Sequence, residues 1–346
     1  MRWFISFCAT FFWFATSAQD WGLEASTGAL VVHRQTMESL YDGYQNGYHV
    51  VYHANLDPRQ VQGRENFAFR ADFFHTDLSN DAELGKAVGA AFGIRKMLGF
   101  GKLKPHYFLT AGLGYLSKTF HKDNNYKNIA IGSKLNAAIR VGGGLLWNPI
   151  ERLGVNAGLQ VLHFSNGSVK IPNKGLNFIG YHLGVHYRLR EGRNYGYSTD
   201  IEPGPLGFRI MYFAGAKETI PFGGKTYMTH SFGMDRIWEK EKIVWSTGLD
   251  LFYNRSLIAE GKARDVEVDN SELQRLGFHV GGEPVFGKFR MVLQLGLYFK
   301  DDLNFNGIMY HRLGWVYQTN VLDFHLGLKS HFAKADHLEI GISKRW

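Results

Sequence analysis

From Leu23 onward the chain repeats one pattern, roughly ten residues of apolar–polar alternation followed by a polar or glycine-rich break. Residues 105–117 put Tyr107, Leu109, Ala111, Leu113 and Tyr115 in one row, with His106, Thr110, Gly112 and Gly114 in the other. Residues 133–147 set Leu135, Ala137, Ile139, Val141, Leu145 and Trp147 against Lys134, Asn136, Arg140 and Gly142. The runs at 243–253 and 289–299 follow the same rule. A period of two makes each run a strand with one dry face, since an amphipathic helix would repeat every three to four residues.

Aromatic side chains gather at the ends of the dry rows, whereas the opposite rows carry Arg70, Asp72, Arg140, Arg188, Arg209, Asp250, Arg290, Arg312 and Asp323. A soluble sandwich would bury its dry faces against each other and use shorter strands. Dry rows on lipid, aromatic girdles and charges paired in a lumen describe a membrane barrel instead. The expected fold is therefore all-β, a transmembrane antiparallel up-and-down barrel. Counting gives about sixteen strands, with 48–54 and 275–283 weakest, so the range is twelve to sixteen. With no internal repeat or linker in evidence, residues 19–346 read as a single barrel domain. The last strand sets Leu338, Ile340, Ile342 and Trp346 against Glu339, Gly341 and Ser343, and resembles the C-terminal assembly signal of outer-membrane barrel proteins. With Trp346 on the periplasmic side, the breaks at 118–132, 166–176 and 254–272 fall outside the cell. Residues 55–65 and 190–205 are long for periplasmic turns.

Composition agrees with a closed β structure, because aromatics at 15% exclude disorder while 41 glycines ease strand curvature. Arg2, the apolar run Trp3 to Phe14 and the small residues Thr16-Ser17-Ala18 predict a secretory signal over 1–18. The single cysteine, Cys8, lies inside it, so the mature chain has no disulfide. A mean hydropathy of -0.22 is compatible with spanning strands, whose two faces average out. The net charge of +8 becomes +7 when Arg2 is removed, residues 1–18 holding no Asp or Glu. That excess suits anionic headgroups, and the basic residues are too scattered for a nucleic-acid surface.

The chemistry gathers at His163-Phe164-Ser165-Asn166-Gly167, with Asn177 fourteen positions after His163. Odd positions from Leu153 to Val161 form the dry row of that strand, so His163 and Ser165 continue the lipid-facing row at its outer rim. On the returning strand Asn177 precedes Ile179, Tyr181 and Leu183 in the dry row. Polar side chains beside lipid are costly and mark function. The expected roles are Ser165 as nucleophile, His163 as base, Asn177 as the group that orients the imidazole, and Asn166 with Gly167 as the oxyanion site. Lys170 and Lys174 in the same loop read as ordinary loop charges or, where the substrate is a phosphorylated lipid, as contacts to its phosphates. No metal or cofactor is needed for this acyl transfer.

His163-Phe164-Ser165-Asn166, followed by Pro172-Asn173-Lys174-Gly175-Leu176 and a polar residue at 177, resembles the motif of the lipid A 3-O-deacylase family. The resemblance implies an outer-membrane barrel whose Ser-His-Glu site faces lipid and removes an ester-linked acyl chain from lipopolysaccharide. The match covers about 160–190, with a looser likeness back to roughly 85. Asn177 stands where that family has its glutamate. A Ser-His-Asn set is also similar to outer-membrane phospholipase A, a calcium-dependent barrel acting on phospholipid. Lys170-Ile171-Pro172-Asn173 lacks that family's arginine, serine and tryptophan. A noncatalytic pore or scaffold is the remaining alternative, since sixteen strands would enclose an aqueous lumen. His182 and His186 read as solvated lumen residues, and the glycine runs sit mid-strand without the following helix that a phosphate loop needs.

Overall fold

The computed structural model describes residues 20–55, 67–99, 101–189, 207–240, 243–286, 288–332 and 334–346. The expected signal segment, the break at 56–65 and the stretch 190–205 lie outside the described residues. Sixteen antiparallel strands are present among the described residues: β1 (Asp20–Leu30), β2 (Tyr44–Asn55), β3 (Phe67–Asp77), β4 (Lys86–Met97), β5 (Leu103–Leu116), β6 (Leu135–Ile150), β7 (Leu153–Ser165), β8 (Leu176–Arg188), β9 (Gly207–Glu218), β10 (Thr226–Lys240), β11 (Ile243–Asn254), β12 (Gln274–Phe286), β13 (Phe289–Lys300), β14 (Met309–Tyr317), β15 (Asp323–His331) and β16 (Lys334–Arg345). The two weakest expected strands are real, as β2 and β12.

The strands close into two rings of eight where one ring was expected. β8 turns back onto β1 in a ladder from Asp20↔Arg188 to Leu30↔Phe178, and β16 closes on β9 from Leu338↔Ala216 to Arg345↔Arg209. Alternation along a strand fixes its two faces but not which strand ends the ring. β8 closes the first barrel and β9 belongs to the second, so the chain passes from one barrel to the other between Arg188 and Gly207.

Halving the ring also removes the expected aqueous lumen, because eight strands leave an interior that side chains fill. In the first barrel Arg140 reaches Asp72 at 2.5 Å, Glu24 at 2.9 Å and Gln160 at 2.8 Å, and Arg70 reaches Glu24 at 2.7 Å. In the second barrel Arg312 pairs with Asp250 at 2.9 Å and Glu339 at 2.8 Å, and Arg209 with Asp235 and Glu283 at 2.6 Å each. A buried guanidinium is tolerable because opposite charges offset its desolvation. A cavity of about 20 Å³, lined in part by Arg209, Glu283 and Arg312, lies inside the second barrel and is of water size.

At the end of the first barrel opposite the inter-barrel connection, the interior turns apolar. Leu30, Met37, Leu40, Phe74, Leu116, Leu162, Phe164, Leu176 and Phe178 pack there with the loop residues Leu84, Ala130 and Ile131. This plug stands directly behind the outer rim that carries the motif, and within it the Phe164 ring packs at a tilt against Phe74, centroids 5.9 Å apart.

Candidate active site on the wall of the first barrel

Side-chain direction on β7 follows the expected parity. Leu162 and Phe164 point inward and are fully buried, and Val161 on the other face is exposed. His163 and Ser165 therefore stand on the outer wall. The ladders place His163 between Ile139 of β6 and Asn177 of β8, and Ser165 beside Ala137. Directly opposed residues of an antiparallel pair come close enough for side chains to meet. His163 Nδ1 and Asn177 Oδ1 are 2.7 Å apart.

An amide oxygen can only accept, so this bond places the proton on Nδ1 and leaves the Nε2 lone pair open. Ser165 is 3% exposed, and its Oγ has no hydrogen-bond partner among the described residues. The structure thus joins His163 to Asn177 and sets Ser165 on the same face, two residues along and unbonded. Such bonds often tighten only with substrate in place.

The loop after Ser165 is ordered by its own residues and by two neighbours. The backbone N–H of Asn166 donates to Asn173 Oδ1 at 3.0 Å, and that of Gly175 to the Ala130 carbonyl at 3.0 Å. Gly167, Ser168 and Gly175 all adopt positive φ, at 60°, 59° and 75°. Space at Gly175 is tight as well, because a Cβ there would stand 3.1 Å from His163 Cε1 and the ring would have to shift. Asn166 is 1% exposed, and neither atom of its side-chain amide has a hydrogen-bond partner among the described residues. An unpaired buried amide costs free energy, so its N–H groups are available to an oxyanion.

Several participants had no signal in the sequence. Asn173 lies inside the motif but shows its role only through the Asn166 bond. His33, in the loop after β1, holds the Lys174 carbonyl through Nε2 at 3.2 Å, one residue from the glycine that abuts His163. Glu218, at the end of β9 in the second barrel, stands 3.4 Å from Lys170 Nζ. Lys170 is therefore already engaged with a carboxylate, while Lys174 is exposed.

Among the described residues, one metal-like grouping occurs elsewhere. Asp20, His53 and His186 approach one another inside the first barrel. Asp20 is bonded to His53 and to Arg95 at 3.0 Å, and Arg70 lies 3.3 Å from His53 Nε2. The Arg95 guanidinium already balances the Asp20 carboxylate, and Arg70 adds a second positive charge beside the His53 ring, which disfavours a cation there.

Comparison with known proteins accords with this division of the chain. Residues 46–186 match the family model described as lipid A 3-O-deacylase (PagL), and residues 206–345 the model described as acyloxyacyl hydrolase, C-terminal domain. None of the curated proteins matches. Among solved structures, the outer membrane enzyme PagL is 19% identical, covering 49% of this chain and 99% of its own, with a TM-score of 0.36. Neisserial surface protein A is 12% identical, covering 50% and 96%, with a TM-score of 0.33. The two family matches fall one on each barrel: the first barrel of this outer-membrane chain matches the lipid A 3-O-deacylase family, and the second matches the acyloxyacyl hydrolase C-terminal domain.

Proposed function

We propose that the protein is an outer-membrane esterase that cleaves an ester-linked acyl chain from lipid A, with Ser165, His163 and Asn177 as its triad. The observation that carries this reading is the 2.7 Å bond between His163 and Asn177 on the outer wall of the barrel that matches the deacylase family. Ser165 Oγ attacks the ester carbonyl while His163 Nε2 takes its proton. Asn166 and the Gly167 turn stabilise the oxyanion. Collapse expels the sugar hydroxyl, which receives the proton from His163. Water, deprotonated by the same nitrogen, then releases the fatty acid and restores the serine.

Asn177 serves as a fixed neutral acceptor. It holds the productive tautomer but does not offset the imidazolium charge that a glutamate would offset. An amide in this position also suits the phospholipase reading, so substrate and metal dependence separate the two. Purified protein in mixed micelles is offered lipid A or phospholipid, each with and without chelator. Fatty acid released from lipid A, unaffected by chelator and absent in Ser165→Ala, is the expected outcome. Calcium-dependent release of lysophospholipid would instead establish a phospholipase.

A further inference from the structure

The seam between the two barrels runs beside the nucleophile. Ala111 and Ala137 belong to outward rows of β5 and β6 yet are buried, and Ala137 is the cross-strand partner of Ser165. Trp315 of β14 donates its indole N–H to the Ala111 carbonyl at 3.2 Å, which ties the two walls together. At the rim the contacts converge on the loop that follows Ser165. Ser168 donates its hydroxyl to the Ala335 carbonyl at 3.2 Å, and its own carbonyl accepts the Glu218 N–H at 2.9 Å. A Cβ on Gly167 would stand 2.8 Å from the Leu338 nitrogen.

Two features show that this contact is built. Ser168 is not glycine, yet it holds φ at 59°, a conformation that persists only where surroundings impose it. Its hydroxyl and its carbonyl are both bonded to the second barrel. The Glu218 side chain is wholly buried, and neither of its oxygens accepts a hydrogen bond among the described residues. The Lys170 ammonium, 3.4 Å away and half exposed, is the charge that compensates it. A buried carboxylate without such a partner is strongly disfavoured, so each side of the pair holds the other in place.

We propose that the second barrel acts as a clamp on the nucleophile loop, with Glu218 as a positioning residue. Through Lys170 and Ser168 it fixes where Asn166 and Gly167 stand relative to Ser165. The inference rests on the esterase reading for its catalytic consequence but not for its structural one. It also reassigns Lys170, whose charge serves the loop in place of lipid phosphate.

The test is a double-mutant cycle on the full-length protein in micelles, with Glu218→Gln, Lys170→Gln and the pair. Two readouts are taken, fatty-acid release from lipid A and tryptic cleavage after Lys174. The clamp predicts that each single change lowers kcat about tenfold or more while KM stays within about twofold, and that the double variant loses no more than either. Cleavage after Lys174 rises several-fold in both singles. A phosphate-binding Lys170 would instead raise KM in Lys170→Gln alone, and that result overturns the proposal. So does wild-type kcat with wild-type trypsin resistance in Glu218→Gln. If Glu218→Gln fails to fold, Lys170→Gln, on an exposed side chain, decides by the same readouts. Absence of any Ser165-dependent release in the wild type would reject the esterase reading, and the proteolysis arm would still decide the clamp.

Discussion

Replacing Asn177 by leucine separates orientation of the base from stability of the wall. The two side chains are similar in size, and Asn177 is only partly buried, so the outer face of β8 stays filled. The lost hydrogen bond to His163, 2.7 Å long, costs the fold roughly 0.5–1.5 kcal/mol. Its cost to catalysis is larger, because the imidazole no longer keeps its proton on Nδ1 and spends part of its time with Nε2 protonated and useless as a base. Loss of that control is expected to lower kcat by about 10²–10³, equivalent to about 3–4 kcal/mol at the barrier. Asn177→Asp tests the complementary point. At an effective dielectric of 20 a charge pair about 4 Å apart gains about 4 kcal/mol, and partial exposure leaves about 1 kcal/mol of it, or about fivefold in kcat. The assay is fatty-acid release in mixed micelles, with heat-modifiable electrophoretic mobility as the check on folding. Asn177→Leu retaining kcat within about threefold of wild type would refute the orienting role.

Two further outcomes test the architecture. Arg140→Met leaves Asp72 and Glu24 with one fewer guanidinium and is expected to destabilise the first barrel by about 3–5 kcal/mol, read as a fall in its thermal unfolding midpoint. Gly180→Val places a Cβ in overlap with the Thr27 carbonyl at the β1–β8 closure, so that barrel should fail to reach its heat-modifiable folded form.

Much of this arrangement was legible in the sequence, and what escaped has identifiable physical causes. Alternation made about sixteen strands visible, 48–54 and 275–283 least clearly, and put His163, Ser165 and Asn177 on the outer face, because side-chain parity is local. Ring closure is not local. Every strand reads the same in one ring of sixteen or two of eight, and the pairing of Leu30 with Phe178 joins residues that share no sequence signal. Break length was an ambiguous hint, because 55–65 and 190–205 are both long for periplasmic turns, yet β2 and β3 pair across the first while β8 and β9 lie in different rings. Lys170 looked like a free loop cation because its partner, Glu218, belongs to the other barrel. Asn173 and His33 act through single bonds to backbone atoms, which no spacing rule foretells.

The most direct test of the central claim is mass spectrometry of lipid A from cells producing either the wild-type protein or Ser165→Ala at equal outer-membrane levels. The account predicts lipid A lacking one ester-linked acyl chain with the wild type and a fully acylated pattern with Ser165→Ala. The same pattern from both would contradict it.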